Sequence, residues 1–395
     1  YSHTLLHNAI ILSVANKKTP FRLCIWKICC TFAGSFEINV MKKILACLLI
    51  GAVFVGCQQK LTPESAKQQM IDSLLHEMTL EEKLGQLHLT SRGDITTGKP
   101  AASRSAEQIR EGKVGGILNL KGVHNIREIQ RVAVEETRTH IPLIFGMDVI
   151  HGYETIFPIP LALSCTWNLT TIERAARIAS QEATADGICW TYSPMVDICR
   201  DARWGRIAEG GGEDPYLGSQ IAAAMVRGYQ GKDLADSTTM MACVKHFALY
   251  GAPDGGRDYN AVDMSYYRMY NDYLPPYKAA IDAGAGSVMS SFNTVNGIPA
   301  SCNHWLLSTL LREEWGFRGF VVSDWNAVEE MIHHGVASDL TDAGIQALKA
   351  GMDMDMAACS FRELAPAVED LPLVQAGEDL RDIDLLRAHV RAVVA

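Results

Sequence analysis

The sequence predicts an α/β fold and, within that class, a (β/α)8 barrel of the TIM type. Three observations carry this. Short, nearly continuous apolar runs alternate with helix-like segments, the pattern of a parallel sheet covered on both faces. About seven or eight such units fall within roughly 300 residues, which is the length of one barrel. Polar side chains collect where the apolar runs stop, and in a barrel those ends converge on one face. A doubly wound open sheet is the competing architecture. It is weakened because no GxGxxG follows a first strand.

The elements follow in order. The chain has 395 residues, 48% hydrophobic and 21% charged, with a formal net charge of -9. That composition is ordinary for a globular protein, and an acidic chain without a basic run gives no reason to expect a nucleic-acid partner. "MKKILACLLIGAVFVGC" runs from Met41 to Cys57: two lysines, an apolar stretch, then small residues. This reads as a signal peptide over 41–56, too short for a membrane span and without a stop-transfer flank. The ending "FVGC" resembles a bacterial lipobox, so Cys57 is the expected lipidation site and a lipid there the only expected membrane attachment. The mature protein is then exported, either periplasmic or anchored to the outer membrane of a Gram-negative bacterium. Residues 1–40 precede the signal without an initiating methionine and read as upstream sequence translated by mistake. Residues 1–56 hold six Lys/Arg and one Asp/Glu, so the remainder has 30 basic and 44 acidic residues, net -14.

"QQKLTPESAKQQ" reads as part of a polar tether over 57–70, with the barrel domain expected over 71–395. Thr79 and Glu82 form a capping box that starts a helix in "MTLEEKLGQL". The strand-like runs are then "GGILNL" (115–120), "IPLIFGMD" (141–148), "CWTYSPMVD" (189–197), "MMACVKHFAL" (240–249), "GSVMSSFN" (286–293), "GFVVSDW" (319–325) and "GMDMDM" (351–356). "TIERAARIASQEATADG" and "DAGIQALKAG" are among the helix-like segments between them. Six cysteines follow Cys57, with no CxxC pair among them, which argues against zinc. Several sit in apolar runs, so mostly free, buried thiols are expected.

Asp148, Asp197, Lys245 with His246, Asn293 and Asp324 each end a run. Any one of them could be a cap or an internal ion pair, but five such ends point to a site. Asp324 stands out, because the buried-type run of Phe320 to Ser323 leads straight into a carboxylate and then Trp325. A helix N-cap in "SDWNAVEEM", at Asp324 or Asn326, is the other role open to it.

"FGMDVIHG", "RDARWGRIAEGGGEDP", "CVKHFALYG", "SSFNTVNGIPAS" and "GFRGFVVSDWNAV" resemble, in order and spacing, the signatures of glycoside hydrolase family 3, more narrowly its exported bacterial β-glucosidases. The resemblance covers about residues 70 to 360. It implies a retaining exo-β-glycosidase, with an oligosaccharide or aryl β-glucoside as substrate, no cofactor and no metal. Asp324 becomes the nucleophile, and Asp148, Arg206, Lys245 and His246 become the residues around the terminal sugar. Trp325 offers a flat apolar face to the pyranose ring. A retaining enzyme needs two carboxyl groups roughly 5–5.5 Å apart on opposite faces of the sugar. The resemblance places the second, a glutamate, in a C-terminal α/β sandwich domain that this sequence does not contain, so the barrel is expected to be truncated before it.

Arg203 is expected in an ion pair with Glu213 or Asp214, and His151 in a structural role. Gly211 departs from the family, which usually has an aromatic there, and puts the hold on Arg206 in doubt. The family's N-acetylglucosaminidase loop with its catalytic histidine has no match in "KHFALYGAPDGGRDYN". The alternatives are a sugar-binding fragment without catalysis and, more remotely, a barrel lyase using Lys245 as a Schiff base.

Overall fold

The computed structural model describes residues 63–91 and 105–364. The expected signal peptide, Cys57 and the segment after 364 lie outside these residues. The barrel belongs to a compact unit that begins at Lys67. The stretch expected as a tether up to residue 70 is helical from Pro63, in a helix running to Glu77. Ile71 and Leu75 of that helix are buried with Met78 and Ile141, an apolar anchor that the polar composition before residue 70 conceals.

Eight parallel strands form the barrel: β1 (His88–Ser91), β2 (Gly116–Leu118), β3 (Ile144–Met147), β4 (Trp190–Thr191), β5 (Met241–Phe247), β6 (Ser287–Ser290), β7 (Phe320–Val322) and β8 (Asp355–Met356). They pair in chain order, Leu89 opposite Gly116 and Ser287 opposite Phe320, for example. β8 returns to lie beside β1, with His88 opposite Asp355. A parallel bridge between Val322 and Met354 joins β7 to the start of β8 and closes the ring. The expected (β/α)8 barrel is therefore the observed one.

The side chains explain why the runs read as continuously apolar. In β3, Ile144 joins the barrel interior while Phe145 and Met147 pack outward under the helices. In β7, Phe320 and Val322 point in and Val321 points out. Both faces are dry, so the usual apolar–polar alternation disappears. Helices cover the outside with defined caps. The Asn168 side chain accepts from Thr171 N at the start of Leu169–Ala185, and Asp214 does the same from Leu217 N ahead of Pro215–Gln230. Asp339 caps Leu340–Ala350, which ends on Gly351 at φ 107°. The Thr79–Glu82 capping box is present at Leu80–Gln86.

The interior is filled, not hollow. Trp190 meets Tyr192 and Phe320 edge-on, with ring centroids 4.8 and 5.2 Å apart. Gly146 makes room for them. A Cβ there would lie 2.2 Å from Tyr192 Oη and 3.0 Å from Trp190 Cε3. Gly146→Ala is therefore expected to destabilise the barrel by about 1–3 kcal/mol through overpacking, read as a lower urea midpoint.

The six described cysteines are all free, as expected, but only Cys199 and Cys243 are buried; Cys165 and Cys189 are exposed. Cys165 follows a short helix at the surface and Cys189 precedes β4, positions that an apolar neighbourhood in sequence does not reveal. Among the described residues, no helix is long and apolar enough to cross a membrane.

Candidate functional site

The strand ends bring four of the five expected clusters together. Asp324 is the second residue past β7 and is 8% exposed. Its backbone position is fixed from below: Ser323 N donates to Met354 O at 2.8 Å, and Asn326 N donates to Met356 O at 3.0 Å. Its Oδ1 accepts from Trp325 N at 2.7 Å. It is not a helix cap. Asn326 has φ +56°, outside the helical region, and the next helix runs from Glu330 to His333. Burial raises the Asp324 carboxyl to about 6, against the pull of the Arg206 and Lys245 charges and the Trp325 amide.

Lys245 and His246 are consecutive and would point to opposite faces of a regular strand. The register of β5 against β6 shifts between Val244 and Phe247, and this irregularity lets both reach the site. Lys245 Nζ lies 2.7 Å from Asp148 Oδ1, with the lysine side chain 4% exposed and the aspartate 49%. Burial favours the neutral amine, but the charges of Asp148 and Glu209 outweigh it, so the Lys245 pKa is raised. A Schiff-base lysine needs the opposite shift.

Arg206 sits in the short helix Gly205–Glu209 and is held by Glu209 through two bonds, Nε to Oε1 at 2.7 Å and Nη2 to Oε2 at 3.0 Å. Its guanidinium lies 5.6 Å from the centroid of the Tyr250 ring. This fork holds Arg206 despite the glycine at position 211. Trp325, half-buried beside Asp324, packs against both the barrel interior and the cluster of Met195, Trp204, Tyr250 and Phe292.

His246 is fully buried. Its Nδ1 lies 2.9 Å from Asp197 Oδ2 and its Nε2 3.5 Å from Asp324 Oδ2. Burial and the nearby Arg206 and Lys245 cations hold its pKa well below the ordinary value, so the ring is neutral. Asp197 was legible as a run end but not as a partner of His246. Tyr277, whose hydroxyl lies 2.5 Å from Asp197 Oδ1, carried no signal in the sequence. Glu330 was missed as well; burial and the Asp324 charge raise its carboxyl to about 7.

The remaining expectations part from the site. Asn293 ties loops together, its Nδ2 donating to Ala248 O at 3.3 Å and Thr294 O at 3.2 Å. Arg203 pairs with Asp201, not with Glu213 or Asp214: Nη2 to Oδ2 is 2.6 Å, and Asp214 is occupied as a helix cap. His151 Nδ1 lies 3.1 Å from Phe157 O within its own loop, in keeping with a structural role. A cavity of about 490 Å³ on adjoining loops is lined by Arg200, Asp201, Asp254, Asp263 and Arg268, among others, and by none of the site residues. Among the described residues, no three His, Cys, Asp or Glu side chains are placed to hold a metal.

Residues 79–385 match the N-terminal domain of glycosyl hydrolase family 3. A periplasmic beta-glucosidase of Salmonella typhimurium is 45% identical over 333 residues, which is 84% of this chain and 42% of that protein. A beta-xylosidase of Formosa agariphila is 37% identical over 67% of this chain and 38% of that one. The crystal structure of a beta-glucosidase from Listeria innocua in complex with isofagomine superposes with a TM-score of 0.75 at 40% identity, over 83% of this chain and 45% of that chain. The chain thus spans less than half the length of these relatives.

Proposed function

Because the chain belongs to glycosyl hydrolase family 3, we propose that it carries the nucleophile and the terminal-sugar pocket of a retaining exo-β-glycosidase acting on β-D-glucosides outside the cytoplasm. The observation that carries this reading is Asp324, a buried carboxylate just past a strand end, whose Oδ1 accepts from the Trp325 amide and which feels the charges of Arg206 and Lys245. Export is supported by the signal-like 41–56 stretch and by the periplasmic name of the Salmonella relative. Glucose is favoured over xylose because the 45% identical relative is named a beta-glucosidase, whereas the beta-xylosidase of Formosa agariphila is 37% identical.

Asp324 attacks the anomeric carbon, and the bond from that carbon to the leaving oxygen breaks. The leaving oxygen takes a proton from a general acid. Water then attacks the same carbon, gives a proton to the resulting base and frees Asp324. Asp148, with Lys245 and Arg206, grips the hydroxyls of the non-reducing end through charged hydrogen bonds. Three of the carboxylates around Asp324 are engaged, Asp148 with Lys245, Glu209 with Arg206 and Asp197 with His246; Glu330, whose carboxyl is raised to about 7 by burial and the Asp324 charge, is not among them. The acid is a glutamate from the portion of the full-length relatives that this chain does not span. The chain alone is then slow on natural glucosides, since general acid–base catalysis contributes about 10²–10⁴-fold.

The test is a 2-deoxy-2-fluoro-glucoside with a very good leaving group, which needs little help from an acid. Peptide mass spectrometry should place the adduct on Asp324. A folded sample that takes up no label would favour the second reading, a sugar-binding piece without catalysis.

The pH dependence of labelling follows from the shift at Asp324. Only the ionised carboxylate attacks. Burial raises its pKa from 3.8 to about 6, so the protonated form dominates below that pH. The second-order labelling rate should be flat above about pH 7 and fall roughly tenfold per unit below 6. An unshifted aspartate would keep its full rate down to pH 5.

A further inference from the structure

Hydrogen-bond donors can be counted around Asp197, a group with no role in the reading above. Asp197 Oδ2 accepts from the backbone N–H of His246 at 2.9 Å and lies 2.9 Å from His246 Nδ1. Its Oδ1 faces the hydroxyl of Tyr277, which also lies 2.7 Å from His246 O. Tyr277 has one proton to give. If Asp197 is ionised, that proton goes to Oδ1. If Asp197 is protonated, Oδ1 donates to Tyr277, and Tyr277 donates to the carbonyl of His246. With the backbone N–H on Oδ2 and Tyr277 able to accept at Oδ1, the proton of a protonated Asp197 is assigned to Oδ1, which leaves Oδ2 as the acceptor in both states. Nδ1 then carries the proton of the neutral imidazole.

The other ring nitrogen is then bare. Nε2 faces Asp324 Oδ2 across 3.5 Å, longer than a made hydrogen bond. Both atoms are buried and, among the described residues, neither has a hydrogen-bond partner. Two acceptors side by side are unsatisfied until a donor enters between them.

We propose that Asp197 is a positioning residue: it locks His246 in the Nδ1–H form and so presents Nε2 as an acceptor beside the nucleophile, matched to a sugar hydroxyl that donates there. The hydroxyl satisfies Nε2 and leaves the Asp324 oxygen free to attack. An Nε2–H form would instead donate to Asp324 and blunt it. The inference rests on the reading of Asp324 as nucleophile, but the position of the proton does not.

The experiment has two parts. The chain is labelled with ¹⁵N-histidine, and the His246 signals are assigned by their loss in His246→Gln. The ring proton should sit on Nδ1 at neutral pH. A proton on Nε2 overturns the proposal, whatever the labelling shows. The second part compares Asp197→Asn with Asp197→Leu, using the fluoroglucoside labelling rate and circular dichroism. The asparagine oxygen keeps the acceptor for Nδ1, and its amide donates to Tyr277, as protonated aspartate would. Asp197→Asn should keep the tautomer and most of the rate. Asp197→Leu removes the acceptor and should slow labelling by roughly tenfold or more with the fold intact. If a folded Asp197→Leu labels at the wild-type rate, or Asp197→Asn moves the proton to Nε2, the proposal is wrong. If the proton is on Nδ1 but the wild type takes no label, the glycosidase reading fails while the tautomer assignment stands.

Discussion

Asp324→Asn is expected to end covalent labelling and to reduce any turnover of an activated glucoside by more than about 10⁴-fold, the scale on which loss of a lone nucleophile is felt. The amide is nearly isosteric, and its oxygen can still accept from the Trp325 amide, so the fold should survive. The buried charge is removed from a site where burial raises the carboxyl to about 6. Ground-state binding of an uncharged sugar should therefore persist, because Asp148, Arg206 and Lys245 are untouched. The check is kinetic and calorimetric: labelling by mass spectrometry, sugar binding by titration calorimetry. Residual labelling at another carboxylate would remove Asp324 from the nucleophile's role.

Arg312→Met is expected to be the most destabilising single change away from the site, by about 3 kcal/mol or more. Asp353 is 2% exposed at the join between β7 and β8. Its Oδ2 accepts from Arg312 Nη2 at 2.5 Å and from Val321 N at 2.6 Å. Methionine fills the space and strands the carboxylate. Burial already raises Asp353 to about 6, with Arg312 and the Val321 amide holding it down. Without Arg312 it rises further. The folded state then keeps a proton that the unfolded chain, with an ordinary carboxylate near 3.8, has released, so stability falls as pH rises between the two values. The loss in urea midpoint should be largest near pH 8 and shrink toward pH 5. An equal loss at both would mean that the arginine matters for packing, not for charge.

Seven of the eight strands were legible because burial on both faces turns each into an apolar run. β1 was not, since "HLTS" carries one large apolar residue; His88, Thr90 and Ser91 are buried there nonetheless. Polar side chains inside a barrel look like a loop when read in one dimension. β4 and β8 are shorter than their runs because the rest of each run pairs only irregularly: Met195 after β4 bridges Lys245, and Met354 before β8 bridges Val322. The candidate site residues stand out because most of them lie where runs stop and all match family motifs. Their support does not. Tyr277 reaches Asp197 from a helix 80 residues away, and no periodicity records such a contact. Arg203 was misassigned because two nearby acids looked equivalent, whereas one of them was already capping a helix.

The return of β8 to β1 has a consequence for the order of assembly. His88 pairs with Asp355, and Ser323, the residue before Asp324, is held by Met354. The first strand to be synthesised must wait, unpaired on one edge, for the last. Contacts this distant in sequence make a fold slow to form and leave an open edge in the meantime. Nascent chains that stop short of residue 353 hold every candidate site residue yet have no fixed place for the Asp324 carboxylate. Asp324 gains a fixed backbone only when the ring shuts, so the candidate site is completed late and all at once.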